Sequence, residues 1–234
     1  YRLAGEAGAR VIANCRVTGI RRESNGFTLQ TAKGLMNARD VIVGTSGYTG
    51  TITPWQQRRI IPIGSYMLAT EELPKDLIDR LLPTRRNIVD TRKLVVYYRT
   101  CPERKRILFG GRVSITEADP VAAAPALHAE MVRIFPELAD TPMSHAWMGF
   151  VGYTFDSMPH VGVHDGIHYA MGYCGSGVSL ASYFGMRIGQ KLVGDPEGGS
   201  PLEHMDFQSR PYYYGKPWFL APSIQYYRWR DALS

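Results

Sequence analysis

Residues 165–194 constrain the fold of this chain more than any other stretch of its sequence. They predict a short strand (Ile167–Met171), a turn with glycines at Gly172, Gly175 and Gly177, and then an amphipathic helix. A glycine turn that opens a helix directs several unpaired backbone N–H groups, and the positive end of the helix dipole, at one place. The sequence therefore predicts a binding site there for an anion or for the electron-rich edge of a polar ring. The apolar face of the predicted helix consists of Val178, Ala181, Phe184, Gly185, Ile188 and Leu192.

Composition narrows the class of protein. A chain of 234 residues, 44% of them hydrophobic, can bury the core of one large or two small domains. The formal charge of +6 is the excess of 27 basic over 21 acidic residues, and the basic residues occur in scattered pairs and not in one stripe, which favours a solvated surface and no nucleic-acid partner. The sequence lacks the run of about 18 apolar residues that a membrane span requires. The 3 cysteines have no metal-ligand spacing and suit a reducing compartment, so we expect a cytoplasmic protein.

The regions on either side of residue 50 differ in pattern. Residues 10–45 predict successive strands, from Arg10–Val17 to Asp40–Thr45, and the last is apolar enough to be buried on both faces. Residues 51–153 combine strands with two helices, which is typical of an α+β unit. The predicted strands there are Arg59–Thr70, Lys93–Arg99, Lys105–Arg112 and His145–Thr154, and the predicted helices are Lys75–Leu82 and Ala122–Leu138.

The end of the chain is rich in aromatic residues. Its prolines, Pro211, Pro217 and Pro222, argue against a long helix. A disordered tail would be poor in tyrosine and tryptophan. We therefore expect residues 209–234 to form an aromatic strap that packs over a surface.

Four segments together carry a resemblance to a known family. They are ARVIANCRVTGI with TAKGLMNARDVIVGTSGYTG; IPIGSYMLATEEL; KLVVYYR with RILFGGR; and WMGFVGYTFDSMPHVGVHDGIHYAMGYCGSGVSLASYFGMRIGQKLVG. In this order they resemble the C-terminal half of FAD-dependent amine and amino-acid oxidoreductases. This superfamily includes D-amino acid oxidase, glycine oxidase and sarcosine oxidase, and the γ-glutamylputrescine oxidases are the most similar group.

The resemblance implies a discontinuous α/β and α+β architecture. Residues 1–50 are expected to be a middle segment of the FAD-binding domain, 51–153 a mixed-sheet substrate domain, and 154–208 the C-terminal segment of the FAD-binding domain. Family members open with a strand–GxGxxG–helix unit that grips the FAD pyrophosphate. This sequence contains no GxGxxG. We therefore interpret the chain as a fragment that lacks its N-terminal Rossmann βαβ unit, binds FAD weakly and is inactive without its N-terminal half.

The resemblance also implies the residues that contact FAD. A valine at the position of Val17 meets the adenine through its backbone, and the turn Thr45, Ser46 and Gly47 passes close to the adenosine. The backbone donors of Gly175, Ser176, Gly177 and Val178 face the pyrimidine edge of the flavin, where they stabilise negative charge on reduction. Each could instead be an ordinary strand or loop residue. Relatives that bind their flavin covalently use a cysteine near the position of Gly149. This sequence has no cysteine there, so we expect non-covalent FAD and an inert Cys174 thiol.

The prediction of the substrate class rests on two arginines that this sequence lacks. Amino-acid oxidases of this superfamily hold the substrate carboxylate with arginines that would fall near Val151 and Gly175, and both are absent. This favours an amine or an N-substituted substrate. The histidines lack metal spacing, and no metal site is predicted. Six residues from predicted strands could line an aromatic pocket: Tyr66, Tyr97, Tyr98, Arg112, Trp147 and Tyr153. Each aromatic residue could equally be a core or sheet-surface residue. Arg112 could instead form a structural ion pair.

The implied reaction is the oxidation of a small-molecule amine. A hydride passes from the carbon next to nitrogen to the flavin, the resulting imine is hydrolysed, and O2 or another acceptor takes up the electrons. Two alternatives remain open at this point. One is an amino-acid oxidase or dehydrogenase of the same superfamily with a different carboxylate anchor. The other is a non-catalytic fragment or interaction module.

Overall fold

The computed structural model describes residues 2–112 and 117–231, and within this part the chain divides into two compact units. Unit 1 comprises residues 1–61 and 152–215, and unit 2 comprises residues 62–151 and 216–234. Each unit is therefore built from two separate stretches of the chain. No helix in the described ranges is both long enough and apolar enough to cross a bilayer.

Unit 1 contains two small sheets. The first is an antiparallel meander of β1 (Val17–Glu23), β2 (Gly26–Thr31) and β3 (Gly34–Ala38). The second contains β4 (Ile42–Val43), β10 (His160–His164) and β11 (Ile167–Met171), with β11 in the centre, parallel to β4 and antiparallel to β10. The helices of this unit are α1 (Arg2–Glu6), α2 (Pro54–Gln57) and α5 (Gly177–Leu192), with single 3₁₀ turns at Ser46–Tyr48 and Pro201–His204.

The core of unit 1 lies around the central strand β11. Tyr169 and Met171 pack with a buried cluster that includes Phe27 and Phe207. Ala170 points to the other side of the strand and packs with Phe184 of α5. Because successive residues of a strand alternate between its faces, β11 contributes to both clusters, and the helix that follows it is anchored at its end.

Among its described residues, unit 2 contains a five-stranded sheet and three helices, of which the last lies near the end of the chain and is described below. The strand order is β6-β7-β8-β5-β9. Its elements are β5 (Ile61–Thr70), α3 (Lys75–Leu81), β6 (Ile88–Val89), β7 (Val96–Thr100), β8 (Ile107–Gly111), α4 (Pro120–Ile134), a 3₁₀ turn (Pro136–Leu138) and β9 (Met143–Tyr153). Leu127 and Met131 of α4 pack on Phe109 and Leu68 of the sheet. Asp119 starts α4 by accepting hydrogen bonds from the backbone of the first turn, as an N-cap does.

Several predicted elements are confirmed at nearly the same residues. The strand Ile167–Met171 has the predicted bounds, and the predicted helix Lys75–Leu82 is observed as Lys75–Leu81. The predicted strands of residues 59–70, 93–99, 105–112 and 145–154 all correspond to β5, β7, β8 and β9. The predicted helix Ala122–Leu138 is observed as α4 followed by a 3₁₀ turn.

Two predicted strands of unit 1 were wrong. Residues 10–16 form no strand, and their side chains are mostly exposed. The run Asp40–Thr45 is reduced to Ile42–Val43, which pairs only with β11 among the described strands. Ile42 is 51% exposed, so this segment is not buried on both faces. The apolar composition of the run reflects the burial of Val41 and Val43 alone.

The predicted strap was wrong for its second half. Residues 220–231 form a 12-residue helix, α6 (Leu220–Asp231), in spite of Pro222. This proline stands in the first turn, where a backbone N–H has no partner within the helix, so the ring costs no hydrogen bond. In the first half of the tail, Tyr213 is buried in unit 1 and its hydroxyl donates a 2.5 Å hydrogen bond to the Ile60 carbonyl. The last three predicted strap residues, 232–234, lie outside the described residues.

Candidate functional site

The glycine turn between β11 and α5 has an unusual backbone. Gly172, Cys174 and Gly175 all lie in the left-handed region, with φ values of +74°, +50° and +101°. Glycine adopts this conformation freely, whereas it is costly for a cysteine. The backbone therefore winds tightly over four residues before Ser176, and a full helix starts at Gly177.

The open side of this turn is lined with backbone donors. Because α5 begins at Gly177, the N–H groups of its first turn have no partner within the helix. The Ser176 N–H is already used, since it donates to the Tyr173 carbonyl at 2.9 Å. No atom lies within 4 Å of the position a Cβ would take at Gly175, and Val178 is 96% exposed. The turn is thus open to a ligand and not buried in the core.

Two other segments of unit 1 meet the turn from its inner side. The Gly172 N–H donates a 3.3 Å hydrogen bond to Ser46 Oγ, and the Cys174 N–H donates a 3.1 Å hydrogen bond to the Gly152 carbonyl. A Cβ at Gly152 would lie only 2.5 Å from Ser46 Oγ and 2.8 Å from the Gly47 nitrogen. The structure therefore brings Ser46 and Gly47 together with the turn, although they precede it by about 126 residues.

Thr154 completes the inner side of the turn. Its methyl group fills the place that a Cβ at Gly172 would need, and its hydroxyl donates to the Met158 carbonyl at 2.9 Å. The Cys174 thiol donates to the Gly172 carbonyl at 3.2 Å and lies 3.7 Å from the Thr154 hydroxyl. Sequence reasoning missed Gly152 and Thr154. The signal for Gly152 was its position at the end of β9, in a strand with glycines at 149 and 152.

The remaining residues predicted to contact the cofactor lie elsewhere or at the edge of this site. Val17 is the first residue of β1, in the meander sheet, and pairs with Thr31. Thr45 precedes the 3₁₀ turn, and its hydroxyl shares a 2.8 Å hydrogen bond with that of Thr49. Within the described residues, no hydrogen bond connects Val17 with the turn before α5. Its role at the adenine therefore stays a prediction.

The aromatic candidates of unit 2 lie on opposite faces of the sheet. Tyr66 is only 1% exposed, packs in the core, and its hydroxyl accepts a 2.8 Å hydrogen bond from the Ala118 N–H. Tyr98 packs on the same core, in contact with Phe109 and Phe135. These surroundings favour a structural role for both tyrosines.

Tyr97 lies on the other face. It stands opposite Gly110, which stands opposite Met67, so the three form one row across β7, β8 and β5. A Cβ at Gly110 would overlap with both neighbouring side chains, which shows that they lie over the glycine. The Tyr97 hydroxyl is hydrogen-bonded to that of Ser65. The row forms a half-exposed apolar surface.

The other two aromatic candidates lie in different units, and Arg112 forms an ion pair. Trp147 is 41% exposed on β9 in unit 2, and Tyr153 is half-buried in unit 1. The Arg112 side chain is 8% exposed, donates to the Gly64 carbonyl at 2.6 Å and pairs with Glu117 at 3.1 Å. These contacts favour the structural interpretation of Arg112.

His160 packs as a structural side chain of unit 1. His160 is buried, stacks on Phe207 and lies 3.0 Å from the Asp156 carboxylate. Burial opposes ionisation of Asp156, but hydrogen bonds from the Met158 N–H and from His160 outweigh it and lower its pKa. Burial lowers the pKa of His168. Across residues 2–112 and 117–231, no cluster of side chains is suited to hold a metal ion.

Solved structures share this fold. Glycine oxidase from Geobacillus kaustophilus superposes with a TM-score of 0.69 at 18% identity, covering 89% of this chain and 55% of that one. Iminodiacetate oxidase from Chelativorans sp. BNC1 gives a TM-score of 0.66 at 18% identity, covering 86% of this chain and 55% of that one. The protein therefore has the mixed α/β fold of these oxidases, as the sequence predicted.

The sequence defines the family. Residues 1–190 match the family described as DAO, FAD dependent oxidoreductase, and the chain belongs to this family. It is 31% identical over 231 residues to the gamma-glutamylputrescine oxidoreductase of Escherichia coli K12, covering 97% of this chain and 53% of that protein. It is 28% identical over 235 residues to a probable oxidoreductase, OrdL, of Haemophilus influenzae, with the same coverage. The chain thus spans about half the length of these relatives.

Proposed function

We propose that this chain is part of an FAD-dependent oxidoreductase that oxidises an amine or an N-substituted amino acid, such as γ-glutamylputrescine. The observation that carries the proposal is the open turn before α5. Its first-turn N–H groups are unpaired within the helix, and the space beside Gly175 is empty of protein atoms. An electron-rich ring edge needs donors of this kind, and a side chain at Gly175 would obstruct its approach.

The residues of the turn fit the flavin end of FAD. The N–H groups of Gly177 and Val178 stabilise negative charge at the pyrimidine edge of the ring, and the dipole of the 16-residue helix adds to this effect. Ser46 supports this turn from its inner side, since Ser46 Oγ accepts a hydrogen bond from Gly172 at the base of the turn. A contact of Thr45, Ser46 and Gly47 with the adenosine remains part of the proposal. When bound, FAD supplies a hydride acceptor for the carbon next to the substrate nitrogen.

Non-covalent binding of FAD is part of the proposal. Gly149 offers no side chain for a flavin linkage. The Cys174 thiol donates its hydrogen to the Gly172 carbonyl and contacts Thr154, so it is engaged on the inner side of the turn. The odd number of cysteines, 3, and their lack of metal-ligand spacing are the basis on which we propose a reducing, cytoplasmic location.

An amine substrate is favoured over a simple amino acid. Val151 and Gly175 occupy the two positions where an arginine would hold a substrate carboxylate. The row of Tyr97, Gly110 and Met67 provides a half-exposed apolar surface that suits an alkyl chain. The similarity to a gamma-glutamylputrescine oxidoreductase supports the same class of substrate. We propose O2 or another electron acceptor as the second substrate.

We propose that a further polypeptide segment holds the rest of FAD. The outer face of α5 carries Val178, Ala181, Gly185 and Met186, which are exposed and uncharged. The first three belong to the apolar face predicted from the sequence, of which Phe184 and Ile188 are buried in unit 1. An outward helix face in water normally carries charged residues. We propose that this face is covered by an N-terminal half that supplies the GxGxxG grip on the pyrophosphate, as the coverage of the longer relatives suggests.

The test is anaerobic reduction of the flavin in the full natural protein that contains this chain. We expect the purified protein to show a flavin spectrum that bleaches with γ-glutamylputrescine or another amine. Denaturation in acid should release the flavin into the supernatant. Bleaching by glycine or D-alanine, with none by amines, would contradict the amine assignment and favour an amino-acid oxidase. A protein without any flavin would support a non-catalytic module.

Substitution within the chain sharpens the test. Gly175→Ala places a methyl group in the open space and strains a left-handed backbone, so we expect FAD affinity to fall about tenfold or more. Gly194→Ala is the matched control, because Gly194 also has a left-handed φ, of +76°, and open space where a Cβ would go, but lies at the other end of α5. Equal affinities of the two variants would contradict the assignment of the flavin to this turn.

A further inference from the structure

We propose that Ser46 is a positioning residue that fixes the turn before α5 in its donor-presenting conformation. Ser46, Gly152 and Gly172 form an arrangement that we call the Ser46 clasp. The proposal rests on the proposed function for its effect on FAD, but the clasp itself is a property of the protein alone. The clasp joins three segments of unit 1 that are distant in sequence.

The first contact of the clasp is the hydrogen bond between Ser46 and Gly172. Ser46 Oγ accepts it from the Gly172 N–H at 3.3 Å. Gly172 is the first residue after β11, so this bond fixes the point at which the chain leaves the strand. Ser46 has a φ of +43°, which is costly for a serine and persists only where the surroundings enforce it. The strained backbone at Ser46 indicates that its surroundings hold it in this conformation.

The second contact holds the other end of the turn. The Gly152 carbonyl accepts a 3.1 Å hydrogen bond from the Cys174 N–H. Gly152 can approach so closely because it has no Cβ, which would lie 2.5 Å from Ser46 Oγ. Ser46 and Gly152 therefore pack directly on one another, and together they anchor the turn at Gly172 and at Cys174.

The clasp explains how a strained turn stays ordered. The left-handed conformation of Cys174 costs about 1 to 2 kcal/mol in isolation. Two hydrogen bonds and the packing of Ser46 against Gly152 offset this cost. Without them, the turn can relax, and the N–H groups that open α5 no longer point together.

The clasp predicts a local response to Ser46→Ala. This change removes the acceptor oxygen, so we expect Cys174 to react about fivefold faster with a thiol reagent, the factor that corresponds to one hydrogen bond. Amide exchange at Gly172 should accelerate to a similar extent. In the full natural protein we expect FAD to bind about fivefold more weakly, while the KM for the amine at saturating FAD stays unchanged. Reaction rates of Cys101, in unit 2, should not change.

A second variant tests the clasp from the other side. Gly152→Ala forces a methyl group against Ser46 Oγ, so it should accelerate labelling of Cys174 at least as much as Ser46→Ala. Ser24→Ala and Gly50→Ala are the matched controls. Ser24 lies in the turn between β1 and β2, and Gly50 has open space where a Cβ would go.

The outcomes separate the clasp from the proposed function. Faster labelling of Cys174 alone supports the clasp, even if the natural protein binds no FAD, in which case the proposed function fails by itself. Unchanged labelling and exchange in both clasp variants overturn the clasp. Equal acceleration at Cys15, Cys101 and Cys174 also overturns it, because that result shows general destabilisation.

Discussion

The turn of unit 1 and the sheet of unit 2 differ in how the candidate residues are brought together. In the turn, the candidate donors are backbone atoms, and glycines create the conformations and the open space around them. In the sheet, the candidates are side chains, and strand alternation divides them between a buried face with Tyr66 and Tyr98 and a half-exposed face with Tyr97. The conformation of the turn was therefore easier to predict from sequence than the distribution of the aromatic side chains over the two faces of the sheet.

The physical reason is the difference between local and long-range information. The spacing of the glycines and the start of the amphipathic helix can be recognised within about twenty consecutive residues. Which face of a strand is buried depends on the register with neighbouring strands, and a shift of one residue exchanges the faces. Four kinds of substitution can break or sharpen this comparison.

The largest expected effect comes from the buried face of the sheet. Phe109→Ala removes a fully buried ring that packs on Tyr98, so we expect a loss of about 3 to 5 kcal/mol in the free energy of unfolding. Leu108→Ala, the neighbouring residue on the other face, should cost only about 1 kcal/mol. Urea denaturation of both variants measures the difference. Equal losses would show that the two faces do not differ in burial.

The next effect tests the backbone of the turn. Gly172→Ala forces a methyl group against Thr154 and strains a residue with a φ of +74°, so we expect a loss of about 2 to 3 kcal/mol. Gly185→Ala should instead stabilise the protein by up to about 1 kcal/mol, because it adds alanine to an exposed helix position. Thermal denaturation compares the two variants. A neutral Gly172→Ala would contradict the tight packing of the turn.

The sequence predicted the turn and its helix, but it did not predict which segments support them. The strand Ile167–Met171 and the start of α5 were found because their pattern is local. Gly152 and Thr154 were missed because their role depends on the approach of Ser46 and Gly172, which are distant in sequence.

The failures have equally specific causes. The strand Asp40–Thr45 was predicted too long because its apolar residues serve a single short pairing with β11 at the edge of a sheet. The helix Leu220–Asp231 was missed because a proline in a first turn does not interrupt a helix.

A smaller effect separates the two faces by function. Tyr66→Phe removes the acceptor for the Ala118 N–H in the core, so we expect a loss of about 1 to 2 kcal/mol in stability with an unchanged KM for the amine. Tyr97→Phe changes a half-exposed hydroxyl that pairs with Ser65, and we expect a smaller loss of stability but a higher KM. Denaturation and steady-state kinetics on the natural protein measure both quantities. A raised KM for Tyr66→Phe alone would assign the substrate to the other face.

The smallest effect concerns the pH dependence of unit 1. Hydrogen bonds from Met158 and His160 lower the pKa of Asp156 below its ordinary value of 3.8. The contribution of the ionised Asp156 carboxylate to the free energy of unfolding is therefore present above about pH 4, and it is lost as the pH falls through the lowered pKa. Asp156→Asn should lower the melting temperature near neutral pH and lose less stability than the wild type on acidification.

The control for this effect is the neighbouring exposed pair. His164 and Asp165 lie 3.4 Å apart, but the Asp165 side chain is 80% exposed, and solvent screens such a pair. Asp165→Asn should therefore change neither the melting temperature nor its dependence on pH. If Asp156→Asn shows the same steep loss in acid as the wild type, the carboxylate does not support this part of unit 1. The stacking of His160 on Phe207 would then hold the segment between β9 and β10 without help from charge.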